Sequence, residues 1–75
     1  MNPDITTLVA SALDISPDTL SPDSGPANVP EWDSLAHVTV ITAAEKAYGV
    51  ELTVKEMLSV QSIAKLRQVV EAKRG

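Results

Sequence analysis

The apolar positions of this chain recur at helical rather than strand spacing from one end to the other. Ile5, Leu8, Val9 and Ala12 fall at intervals of three and four, the period of one helix face. Ahead of them Asn2 is the expected N-cap, with Pro3 at the first helical position and Asp4 near the positive end of the dipole. Ser16-Pro17 is expected to end this helix, because the residue before a proline avoids the α region. A second helical pattern runs from Ser34 to Tyr48, and Gly49 stands where a left-handed residue would close it. Thr53-Val54-Lys55-Glu56 reads as a capping box that opens a short helix through Met57 and Leu58. Ser62 is expected to cap a last helix, with Ile63, Leu66, Val69 and Val70 on one side. No alternating strand pattern survives inspection.

Between the first two helices, residues 14–33 hold Pro17, Pro22, Pro26, Pro30, Gly25 and two Ser-Pro-Asp triplets. They predict a long loop with one helical turn at Pro17–Leu20, and loops of this length in a small domain tend to be functional. The expected fold is therefore an all-α four-helix bundle with a long loop after helix 1 and a short third helix, one domain over residues 1–75.

Composition narrows what such a bundle can do. The core must come from 20 Val, Ile and Leu side chains and nine alanines, with Trp32 and Tyr48 the only aromatics. No cysteine and a single histidine exclude disulfides and a zinc cluster. One small core of this kind yields roughly 3–5 kcal/mol of stability and leaves no room for a deep catalytic cavity, which weighs against an enzyme. The N-terminus lacks the basic start and long apolar stretch of a signal peptide, and no apolar run approaches spanning length. The expectation is a monomer in the cytoplasm without membrane insertion.

Charge is unevenly spread. Residues 1–45 contain seven acids and no lysine or arginine, whereas residues 46–75 contain six bases and three acids. Ser34 lies in the negative part, which argues against nucleic acid as a partner and for basic protein surfaces.

Ser34 itself admits three readings. As a cap, it or Asp33 would accept from the N–H groups of the first turn, although Ala36 and His37 stand where the acid of a capping box would be. As a nucleophile it would need His37 as base and Asp33 as orienting acid. Groups crowded into one turn, with no glycine-rich elbow and no pocket, do not meet those terms. As an attachment point it is well placed, because a helix N-terminus favours a phosphate esterified there.

The residues around Ser34 resemble those of the acyl carrier protein family. Asp33-Ser34-Leu35, in the variant Trp32-Asp33-Ser34-Leu35 familiar among stand-alone carriers, starts a helix after a long loop. Val38, Ile41, Glu45 and Tyr48 match the aliphatic, aliphatic, acidic and aromatic places of the family's second helix. Gly49-Val50-Glu51-Leu52 matches the following turn, and the spacing from Ile63 matches the last helix. The resemblance implies a non-enzymatic carrier in which Ser34 receives 4′-phosphopantetheine from coenzyme A. The thiol of that arm holds acyl or aminoacyl groups as thioesters. Implied partners are a phosphopantetheinyl transferase, an acyl- or aminoacyl-loading ligase, and an acyltransferase or synthase. By the same resemblance Val40, Ile41, Ala44 and Tyr48 face the core, while Asp33, Leu35, Val38, Thr39, Thr42, Glu45 and Lys46 face partners.

Two places depart from the pattern. Glu31 stands where many carriers have glycine, and Trp32 is expected to pin the loop by packing over the helix start. On the second helix Ala36, Thr39, Lys46 and Ala47 occupy positions that are acidic in fatty acid synthesis carriers. That favours a specialised pathway over primary fatty acid synthesis. A small helical interaction module without a prosthetic group is the reading from another class.

Overall fold

The computed structural model describes residues 4–74, and its elements are helical throughout. Helix α1 spans Ile5–Leu13, a single 3₁₀ turn spans Pro17–Thr19, α2 spans Ser34–Tyr48, α3 spans Val54–Ser59 and α4 spans Ile63–Arg74. The four-helix expectation holds, as does the helical turn inside the loop.

The first helix differs from expectation at both ends. Asn2 and Pro3 lie outside the described residues; the cap is Asp4, whose carboxylate accepts from the N–H groups of Thr6 and Thr7. At the other end α1 stops at Leu13, before Ser16-Pro17. Asp14 takes the left-handed conformation (φ 58°), and the N–H of Ile15 reaches back to the carbonyl of Ala10. Aspartate is one of the few residues that enters this region at modest cost, so it can stand where glycine usually ends a helix. Gly49 plays that part on α2 (φ 66°), with Val50 N–H donating to the Glu45 carbonyl.

Helix α1 packs against both α2 and α4. The core joins Ile5, Leu8, Val9 and Leu13 of α1 to Val40, Ile41 and Ala44 of α2 and to Ile63, Leu66 and Val70 of α4. The long loop adds Val29 and Trp32, and Val60 closes the set from the segment after α3. Helix α3 buries no residue of its own. It is held by its capping box, in which Thr53 and Glu56 each accept from the other's N–H, and by Lys73 Nζ at 2.7 Å from Glu56 Oε1.

The loop is built as a cap for α4. Ser62 Oγ accepts from Lys65 N–H as its position predicts, and two loop carbonyls take the N–H groups before it: Ile63 to Ser24 at 2.9 Å and Ala64 to Pro22 at 3.0 Å. Asn28 braces this segment, accepting from Gly25 N–H and donating to the Asp23 carbonyl. A proline-rich stretch thus becomes ordered because its carbonyls replace the partners a helix start lacks.

Candidate functional site

The question at Ser34 is settled locally by its neighbour. Asp33 has extended backbone and its Oδ1 accepts from Ala36 N–H at 2.8 Å, so Asp33 is the N-cap. Ser34 is then the first residue of the helix proper. Its side chain is exposed, and its hydroxyl forms no hydrogen bond among the described residues.

His37 is likewise engaged elsewhere. The indole N–H of Trp32 donates to His37 Nδ1 at 2.9 Å, and His37 Nε2 lies 2.8 Å from the carbonyl oxygen of Met57. An indole can only donate, so Nδ1 must accept and Nε2 must carry the hydrogen given to Met57. Both ring nitrogens are committed, and neither is available to take a proton from Ser34. The chemistry of a Ser–His pair is absent. Among the described residues there is also no cluster of acids and histidine that could hold a metal ion.

Trp32 is the plug that the sequence suggested, only 1% exposed, with its ring centroid 6.0 Å from that of His37. A groove of about 560 Å³ opens beside Ser34. It lies between α2 and α3, lined by Val38, Met57 and Leu58 together with the buried Trp32 and the half-buried His37. Two of its lining side chains are large, apolar and exposed, Val38 at 51% and Leu58 at 63%, and Leu35, next to Ser34 in the chain, is 82% exposed.

The expected two sides of α2 separate cleanly. Val40, Ile41 and Ala44 are buried and Tyr48 packs half-buried against them, whereas Leu35, Val38, Thr39, Thr42 and Lys46 are exposed. Glu45 has a structural task that the pattern did not reveal: its Oε2 accepts from Leu52 N–H at 2.9 Å and closes the turn after α2. Ala36 and Ala47 are half-buried against the core, unlike Thr39 and Lys46. Neither the Trp32–His37–Met57 relay nor the capping of α4 by the Ser24 and Pro22 carbonyls carries a signal in one sequence, since both join residues by position in space.

This geometry fits a phosphate ester on Ser34. The hydroxyl is free and accessible at the positive end of a 15-residue helix. The N–H groups of Ser34 and Leu35 find no acceptor among the described residues, as Asp33 serves only those of Ala36 and His37. A family model described as the phosphopantetheine attachment site matches residues 3–70. The chain belongs to that family. It is a carrier, not an enzyme, and 4′-phosphopantetheine is its covalently attached group. As a carrier domain it works with a phosphopantetheinyl transferase and with synthase-type enzymes. Among solved structures, the solution structure of the holo acyl carrier protein from Geobacter metallireducens aligns with a TM-score of 0.81. The alignment covers 92% of this chain and 79% of that one at 22% identity, which speaks for the fold. No curated protein sequence matches the chain. No helix among the described residues is long and apolar enough to cross a membrane.

Proposed function

We propose that Ser34 is the attachment point, and that residues 1–75 form one monomeric carrier domain serving a specialised acyl or aminoacyl pathway in the cytoplasm. The observation that carries the first part is the division of labour at the start of α2. Asp33 takes the cap, so the hydroxyl of Ser34 is left free at the helix N-terminus and beside an apolar groove. Among the described residues no base touches that hydroxyl, and its activation comes from the transferase. The arm supplies the thiol that holds cargo as a thioester. The chain contributes a fixed anchor, which turns each later reaction into a tethered encounter at raised effective concentration.

Partners are read by the surface around the anchor. Asp33 presents the one charge next to Ser34, Leu35 and Val38 supply apolar contact, and Thr39, Thr42, Glu45 and Lys46 continue the face along α2. The departure from acidic carriers supports a specialised role. A basic docking patch finds a threonine and a lysine at Thr39 and Lys46 where it would expect acids. A loading ligase and an acyltransferase or synthase with a more apolar dock suit this face better.

The test is modification. Incubation with coenzyme A, Mg²⁺ and a promiscuous phosphopantetheinyl transferase should add the mass of one arm to the wild type and none to Ser34→Ala. An unchanged mass in the wild type would leave a plain helical interaction module; an equal gain in both proteins would place the arm on another residue.

A further inference from the structure

We propose that Trp32 and His37 form a closed floor under the groove at Ser34, so that cargo rides along the surface and is not drawn into the helical core. The inference rests on Ser34 carrying the arm and concerns what the arm can hold. A chain entering between α2 and α3 would have to separate Trp32 from His37, or His37 from the Met57 carbonyl. These contacts are 2.9 and 2.8 Å long. The indole is 1% exposed, so its N–H, once released, has no water to turn to. An alkyl chain brings neither a donor nor an acceptor to replace what it displaces.

Behind the floor the core is closed to solvent. Trp32 heads the largest fully buried side chains, and Val9, Val40, Val60, Ile63 and Leu66 are each at most 1% exposed. Protein interiors are close-packed and hold few voids larger than a water molecule, so a chain entering there has to push side chains apart. The relay also acts on α3, a helix that buries no residue of its own. His37 ties it down through Met57, and Lys73 through Glu56. The groove therefore stays a shallow shelf. Short or polar acyl and aminoacyl groups lose nothing by lying there in contact with water, whereas a long alkyl chain would remain largely exposed. The cargo class that fits is short or polar.

The experiment loads the protein with acetyl-, hexanoyl- and decanoyl-phosphopantetheine from the corresponding coenzyme A thioesters. Intact mass first verifies one arm on Ser34, and its absence would overturn the attachment reading rather than this one. Melting midpoints and NMR contacts are then recorded. Burial is worth roughly 3–6 °C per methylene in a domain of this size. The expected midpoints stay within about 3 °C across the series, far short of that rise, and no contacts appear between acyl methylenes and the methyl groups of Val40 or Ile63. A midpoint that climbs with chain length, together with such contacts, overturns the proposal. His37→Val removes both bonds and should make the midpoint climb with length. His37→Gln can accept from the indole and donate to the carbonyl, and should restore the flat series. A flat series in His37→Val as well overturns the role of the floor. Should that variant fail to fold, Trp32→Phe, which keeps a ring and loses the donor, takes its place.

Discussion

Gly25 and Gln61 meet backbone to backbone: a β-carbon on Gly25 would collide with the carbonyl oxygen of Gln61. This contact lets the loop reach the start of α4, where the Ser24 and Pro22 carbonyls cap the helix. The neighbouring atom is backbone and cannot swing aside. Gly25→Ala should therefore cost about 1–3 kcal/mol or more, as overpacking does, and lower the melting midpoint by roughly 10 °C or beyond. Thermal unfolding of the unmodified protein checks it; a midpoint within about 2 °C of the wild type would contradict the packing.

Capping and attachment at the start of α2 fall on different residues, and stability separates them. Asp33→Ala removes the acceptor of the Ala36 N–H and is expected to cost ~0.5–2 kcal/mol. Ser34→Ala removes a hydroxyl that bonds nothing among the described residues and should leave the unmodified protein unchanged in urea titration. Equal losses in the two variants would show that Ser34 shares the cap.

The two sides of α2 should respond oppositely to the same charge. Ile41 is 4% exposed and Val38 51%. Ile41→Asp buries an unpaired carboxylate and should unfold a domain of this size outright. Val38→Asp should keep full helicity by circular dichroism and weaken use by partner enzymes.

Acid should loosen the seat of α3. The Lys73 ammonium hydrogen-bonded to Glu56, followed by the Thr53 N–H, holds the Glu56 carboxyl below its ordinary value of 4.5. A carboxyl lowered on folding contributes stability that is complete above the ordinary value and is lost as pH falls through the folded one. Wild type should therefore lose melting temperature below about pH 4.5 more steeply than Glu56→Gln, which keeps the capping box without the charge. Parallel pH profiles of the two proteins would show that the ion pair does not act on stability.

The specialised reading of the docking face is checked at Thr39 and Lys46 alone, because Ala36 and Ala47 are half-buried and acids there would disturb packing. Loaded with a short acyl group, the wild type should be a poor substrate for a fatty acid ketosynthase compared with an acidic carrier. Thr39→Glu with Lys46→Glu should raise turnover up to about ten-fold, with a steeper salt dependence, since a few surface ion pairs together approach ~1.4 kcal/mol. Turnover already equal to that of the acidic carrier would remove the argument for a specialised pathway.

What the sequence determined by itself was set by near neighbours. The α2 boundaries, the capping box at Thr53 and Glu56, the Ser62 cap and the left-handed Gly49 depend on residues within one turn of each other, so their chemistry is visible in a line of letters. The motif at Asp33-Ser34-Leu35 is local in the same way. The end of α1 was misplaced because Asp14 could enter a conformation usually left to glycine, and a favourable local alternative outranked the proline signal. Which of Asp33 and Ser34 caps α2 was also left open, since both can accept and the choice turns on a backbone angle that the letters do not show. The faces of α2 were open too, as apolar residues ring it and its partners alone define an inside. The relay from Trp32 through His37 to Met57, the Glu45 bond to Leu52 and the fit of Gly25 on Gln61 join residues 5, 20, 7 and 36 positions apart. Hydrogen bonding and close packing act through space, and at those separations only the folded chain brings the groups within reach.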